Sequence, residues 1–443
     1  MFLIFLFESS AISRLRYAAK LTNAISVAIY DSIKNGAYTK IIWNILWTCE
    51  YYDTVQARLF TCNILKRNVR NMSNIFNINN ESTKHENMQN CIEPQTPGLN
   101  AAAAFNVVGS IAAEENALAA IIQEEADKLS LLTGSTLTFT NFTNLTGSII
   151  RTMKIVLLKN TVLEAKLTET LNYIDSENFT ITPAFVDNLI AILRSIANEE
   201  NALGNLIRAL GNAVRLLAPG LTLAQLQAID QIVTSLMRVI TEKNLVLLSK
   251  LRRVVRFIVN NSAAFPIPTP AQVAATIAAI NSLINSIIVE ENGLAVLIEG
   301  EAAKLSRAVA LTTTATGIPG LLAFNTTITS VIDIVVQKNM ILEAKLEDIL
   351  ALIALGFTPA QLAVFAVTLS NLQQSIANEE FALATLIGTE ASKINAVSGI
   401  TPGNIGNLVA VNDSATTLLE SITLKNMILQ QKNLEVINFI LSL

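Results

Sequence analysis

The chain has 443 residues, of which 51% are hydrophobic, 15% charged and 6% aromatic, with one histidine, three cysteines and a net charge of −4. The lone His85 excludes Ser-His and Cys-His catalysis, histidine metal centres and the Glu-x-x-His motif of di-iron bundles, and no Gly-rich phosphate loop is present. Near-neutral charge without a basic patch argues against nucleic acid, and Cys49, Cys62 and Cys91 make no disulfide framework. No cofactor or metal is expected, and neither is a small-molecule ligand.

Residues 1–71 differ from all that follows. They hold both tryptophans, five of the six tyrosines and two of the three cysteines, with nine basic and four acidic side chains against 22 and 31 in the remainder. Two readings stay open: upstream sequence outside the native protein, with the start at Met72, or a small extra N-terminal domain. Met1–Phe7 is apolar but lacks a basic flank and is too short to span a bilayer, so it is not read as a secretory signal. Residues 72–96 are polar and Asn-rich, the composition of a disordered tail.

From Pro97 the text repeats four times, in units read as 97–180, 181–262, 263–356 and 357–443. A Glu-Glu pair inside an apolar run begins at Glu114, Glu199, Glu290 and Glu379, and a Lys-Asn pair follows 44 to 48 residues later at Lys159, Lys243, Lys338 and Lys425. Thr-Pro precedes the apolar run at 96–97, 182–183, 269–270 and 358–359, the signature of an N-cap with proline in the first turn. A second break falls mid-repeat at Pro219-Gly220, Pro319-Gly320 and Pro402-Gly403, with Gly134 and Gly147 serving in the first copy. Strand signals are absent. The fold is therefore all-α: four tandem helical-hairpin repeats of about 85–90 residues, with helices of about 25–35 residues. The hairpins pack either as four-helix bundles or as one elongated helical array.

Helical phase puts the second glutamate of each pair (Glu115, Glu200, Glu291, Glu380) on the apolar side, with Asn160, Asn244, Asn339 and Asn426 facing inward from the partner helix. Lys159, Lys243, Lys338 and Lys425 stand at the flank. The expectation is a structural Glu–Asn–Lys layer across each hairpin, fixing register at some cost in stability. Residues 257–289 and 349–378 carry no formal charge, but Pro266, Pro268, Pro270, Gly356 and Pro359 interrupt them, so no stable transmembrane span is expected. Sparse charge on the outer faces predicts self-association as a homo-oligomer or layer.

Ser375–Ile394, Ser-Ile-Ala-Asn-Glu-Glu-Phe-Ala-Leu-Ala-Thr-Leu-Ile-Gly-Thr-Glu-Ala-Ser-Lys-Ile, and Lys338–Glu347 resemble a repeat family of spore-surface and cell-surface proteins from spore-forming Gram-positive bacteria. The resemblance covers about residues 97–443, weakening after Ile207 in the second copy, and implies a surface component without known catalysis. The expected function is a non-enzymatic, self-assembling component of a spore or cell surface layer. A membrane-active helical protein and a ligand- or metal-binding bundle are the alternatives.

Overall fold

A computed structural model describes residues 97–354 and 357–442. The segments 1–71 and 72–96, and with them His85 and all three cysteines, lie outside the described residues, as does Gly356. Among the described residues every regular element is helical. Eight long helices form four hairpins: α1 (Pro97–Ser130) with α2 (Phe139–Ser176), α3 (Pro183–Leu217) with α4 (Leu223–Asn260), α5 (Pro270–Leu311) with α6 (Ile318–Ile353), and α7 (Pro359–Ile400) with α8 (Ile405–Ser442).

The helix starts follow from local chemistry. Thr182 accepts a hydrogen bond from the Phe185 amide at 3.3 Å, and Pro183 occupies a first-turn site whose amide would be unpaired anyway. Thr222 and Thr269 form reciprocal boxes with Gln225 and Gln272, whose side chains accept from the Thr amides at 3.0 and 3.1 Å. Pro319 lies in the first turn of α6, not in a loop, and so breaks no helical hydrogen bond. Gly134 and Gly403 adopt positive φ in the mid-repeat turns of the first and fourth hairpins. Because the breaks are this short, the helices run to 34–42 residues, longer than the spacing of apolar positions alone suggests.

The hairpins stack as an array in two layers. α1, α3, α5 and α7 pack side by side in one, α2, α4, α6 and α8 in the other, and each helix also meets its hairpin partner across the layers. Equivalent helices run parallel: Asn188 reaches the Phe105 carbonyl, Asn198 reaches Asn116 and Asn205 reaches Gln123, always one repeat on. A single apolar core runs through all four hairpins. An inner helix is thus covered on three sides, so its buried face is far wider than one stripe. The closest approach joins α3 and α5, where Gly204 and Gly211 face Gly293 and Gly300. A methyl built on Gly211 would stand 2.7 Å from the Leu297 amide nitrogen.

Three helices contain stretches long and apolar enough to cross a bilayer: Ala101–Ser130, Pro270–Leu311 and Ala315–Ile353. They qualify by length and composition alone; the expectation of no stable span rested on the charge-free runs 257–289 and 349–378, which prolines and Gly356 interrupt.

Candidate functional site: the buried ionic junctions

Each contact between successive hairpins encloses a charged cluster. Between the first and second, Glu115 accepts from Ser195 at 2.5 Å and pairs with Lys250 at 2.6 Å, all three fully buried. Asn160 accepts from Lys250 and donates to Glu199 at 2.8 Å, and Glu199 is also paired with Lys243. The second contact repeats the pattern. Glu200 meets Ser286 at 2.6 Å and Lys345 at 2.7 Å, Asn244 bridges Lys345 at 3.3 Å and Glu290 at 3.1 Å, and Lys338 pairs with Glu290. In the third, Glu291 meets Ser375 and Lys432 (2.6 Å), Asn339 accepts from Lys432 at 3.0 Å, and Lys425 pairs with Glu379. Asn339 donates to the Val335 carbonyl here, not to a glutamate.

The rule is consistent. The first glutamate of a pair binds the Lys-Asn lysine of its own hairpin. The second binds a lysine seven residues further along the next hairpin's second helix. Each junction holds two carboxylates and two ammonium groups, a neutral set that allows burial without an isolated charge.

Two features differ from a layer confined to one hairpin. The partner of the second glutamate is the distal lysine (Lys250, Lys345, Lys432), and the first glutamates Glu199, Glu290 and Glu379 are buried as well. Phase reckoned on one stripe misses these residues; the recurrence of Lys166, Lys250, Lys345 and Lys432 and of Ser110, Ser195, Ser286 and Ser375 is the signal that finds them. The structure also moves several expected layer residues to the surface. Lys159 is half exposed, paired with Glu114, while Glu380 and Asn426 are exposed. The cause is their place on the outer edges of the first and last hairpins, where no further hairpin among the described residues covers them. Lys243, Lys338 and Lys425 are fully buried, not at a flank.

Burial dominates the proton affinities. It pulls Lys243 and Lys338 well below the usual lysine range, helped by like charge from Lys250 and Lys345 respectively. It lowers Lys250, Lys345 and Lys425 in the same way and raises Glu291. A further cluster in the second contact joins Asp230 of α4 to Lys304, Glu301 and Thr327 of the third hairpin. Burial pushes Glu301 up to about 8, and the nearby Asp230 carboxylate adds to the rise. Asp230 is raised by burial too, so this cluster of two acids and one lysine retains a proton at neutral pH.

Chemically these clusters are closed. The single hydroxyl proton of Ser195, Ser286 and Ser375 is shared between a carboxylate and the carbonyl three residues back in its own helix. Among the described residues, no three of His, Cys, Asp and Glu gather so as to hold a metal ion. The recess between α6 and α8 is lined by Asn325, Thr326, Thr329, Ser330, Asp333 and Ser414, and its Asp333 accepts a hydrogen bond from Ser421 at 2.6 Å.

Parallel stacking of like hairpins, with buried ions bridging each to the next, defines a helical-repeat structural protein. Its family is shown by sequence. The chain belongs to the alpha-helical endospore appendage domain family, whose model matches four times, at residues 100–174, 185–258, 276–353 and 366–440. Each match falls on one hairpin, and the family points to a structural role at the spore surface. No curated protein and no solved structure matches the chain.

Proposed function

We propose that the protein is a non-enzymatic building block of a spore-surface appendage that assembles with further copies of itself. The observation that carries this reading is the fourfold appendage domain stacked into one array whose buried charges bridge neighbouring hairpins. Such groups serve register and cohesion, since each is already paired and shielded from substrate. The expected Glu–Asn–Lys layers are, in this reading, the locks between hairpins. The repeat units at 97–180, 181–262, 263–356 and 357–443 are then its structural modules.

Electron microscopy and sedimentation of the purified full chain test this. The expected result is large assemblies that persist at high salt, because apolar contact, not exposed charge, holds them. A monodisperse monomer at high concentration would overturn it. The three apolar helices favour a second reading, a membrane-active protein. Against it, α5 would have to carry Glu290, Glu291, Glu301 and Lys304 away from their partners into lipid. Dye release from liposomes by the purified chain would support that reading, and intact vesicles are expected.

A further inference from the structure

The two ends of the array are unequal, and they differ in a complementary way. On α7 the stripe Glu380, Ala384, Ile387 and Ala391 is exposed. Its counterparts in the three preceding hairpins are buried without exception: Glu115, Ala119, Ile122 and Ala126; Glu200, Gly204, Ile207 and Gly211; Glu291, Ala295, Ile298 and Ala302. At the other end, Ile155, Lys159, Val162 and Lys166 of α2 face solvent, whereas Ile334, Lys338, Ile341 and Lys345 are buried against the hairpin before them. Ser110, Ala117 and Ile121 on α1 are likewise exposed where Ser286, Gly293 and Leu297 are buried.

The charges complete the pattern. Lys166 occupies the distal-lysine position, which elsewhere pairs with the second glutamate of the preceding hairpin and with its asparagine. With no preceding hairpin among the described residues, it sits 3.6 Å from Glu114, which Lys159 already pairs. Glu380 and Asn426 are that missing glutamate and asparagine, exposed at the opposite end. One end therefore carries two lysines to one glutamate and the other a carboxylate without a lysine, so together they give the neutral two-by-two set of every inner junction.

Shape agrees. Asn116 meets Asn198 and Asn292 meets Asn378 across inner junctions. At the free end the Asn116 position is Phe381, 71% exposed, and the residue it would cover is Ala113. A large apolar side chain on one end thus faces a small one on the other.

We propose that these ends are two halves of a fourth junction: a second copy of this chain docks its first hairpin on the last hairpin of the first, seating Lys166 between Glu380 and Asn426. This rests on the self-assembly reading above and adds its surface, polarity and partner. Such a contact joins different surfaces and so propagates head to tail, into an open filament where the rotation per copy does not close a ring.

Two blocked full-length variants test it. Ala384→Arg closes the C-terminal end and Ala117→Arg the N-terminal end, both at exposed positions where thermal unfolding should match the parent. The expected result is filaments from the parent, monomer from either variant alone, and discrete dimer from their equimolar mixture. Within that mixture, adding Glu380→Lys to the Ala117→Arg chain should weaken the dimer at least tenfold, and adding Lys166→Glu to its mate should recover binding. Filaments from either blocked variant would overturn the proposed ends while leaving self-assembly standing. A silent Ala117→Arg would show the N-terminal end unused, as when residues 1–96 cover it. A monomeric parent would overturn both readings.

Discussion

Replacing Gly211 by alanine should destabilise the protein although alanine is the better helix former. In a free helix the change is worth up to about 1 kcal/mol in favour of alanine. Here the new methyl would stand 2.7 Å from the Leu297 nitrogen and the Val296 carbonyl carbon and 2.8 Å from the Leu297 Cα, all backbone atoms of α5 that no rotamer change can move. Ordinary contact requires roughly 3.5–4 Å, so α3 and α5 must part by about 1 Å. That separation pulls on the Glu200–Lys345 and Ser286–Glu200 contacts in the same junction, now 2.7 and 2.6 Å. Overpacking of this kind costs about 1–3 kcal/mol, and after the propensity gain of about 1 kcal/mol a net loss of up to about 2 kcal/mol is expected. Gly388→Ala is the control: it is exposed within α7, with nothing inside 4 Å of the added carbon, and should stabilise by up to about 1 kcal/mol. Urea unfolding followed by far-UV circular dichroism reads both. Gly211→Ala unfolding at the same urea concentration as Gly388→Ala, or a higher one, would refute the close-packed α3–α5 contact.

Glu301 supplies a pH signature. Its folded affinity, near 8, exceeds the ordinary value of 4.5, so the native state binds the extra proton between these limits and the group's contribution is full below pH 4.5 and lost as pH rises through 8. Glu301→Gln mimics the protonated form and should remove a slope on the order of 1 kcal/mol per pH unit, gaining on the parent in alkali; identical pH profiles in urea titrations would contradict this. Glu200→Leu strands the buried Lys345 and should cost about 3–5 kcal/mol, with Lys345→Met restoring most of it. A double-mutant cycle in urea measures this, and a single-variant loss below about 1 kcal/mol would count against the pairing. Thr182→Ala removes the acceptor for the Phe185 amide and should cost about 1 kcal/mol, seen as faster hydrogen exchange in the first turn of α3.

The sequence carried the repeats, the hairpins and most helix starts, because Thr-Pro and Gly act on the backbone locally. The placement of Glu115, Glu200 and Glu291 on the apolar side was also legible, since it needs only the phase of one helix. Their partners were not. Lys250 lies 135 residues beyond Glu115, and nothing within a hairpin says which neighbour will supply the cation. One-stripe phase also treats adjacent glutamates as inside and outside, whereas a helix held between two equivalents buries both, as with Glu199 and Glu200. Glu380 shows the converse: its phase equals that of Glu291, yet it is exposed because it belongs to the last hairpin. The choice between bundle and array depends on the same next-neighbour contacts, including the α3–α5 glycines, whose spacing means close approach only once the partner helix is known.

The forward reach of these ion pairs gives the array a direction in time. Glu115 leaves the ribosome long before Lys250 and Glu291 long before Lys432, gaps of 135 and 141 residues. At about 5–20 residues per second that is on the order of ten seconds during which the newest hairpin shows an unmatched carboxylate and a bare apolar edge. A hairpin that folds as it emerges therefore presents a growing edge with the same chemistry as the finished C-terminal end. Crowded nascent chains are therefore exposed to mispairing, with one chain's hairpin capping another's, until their own next repeat arrives.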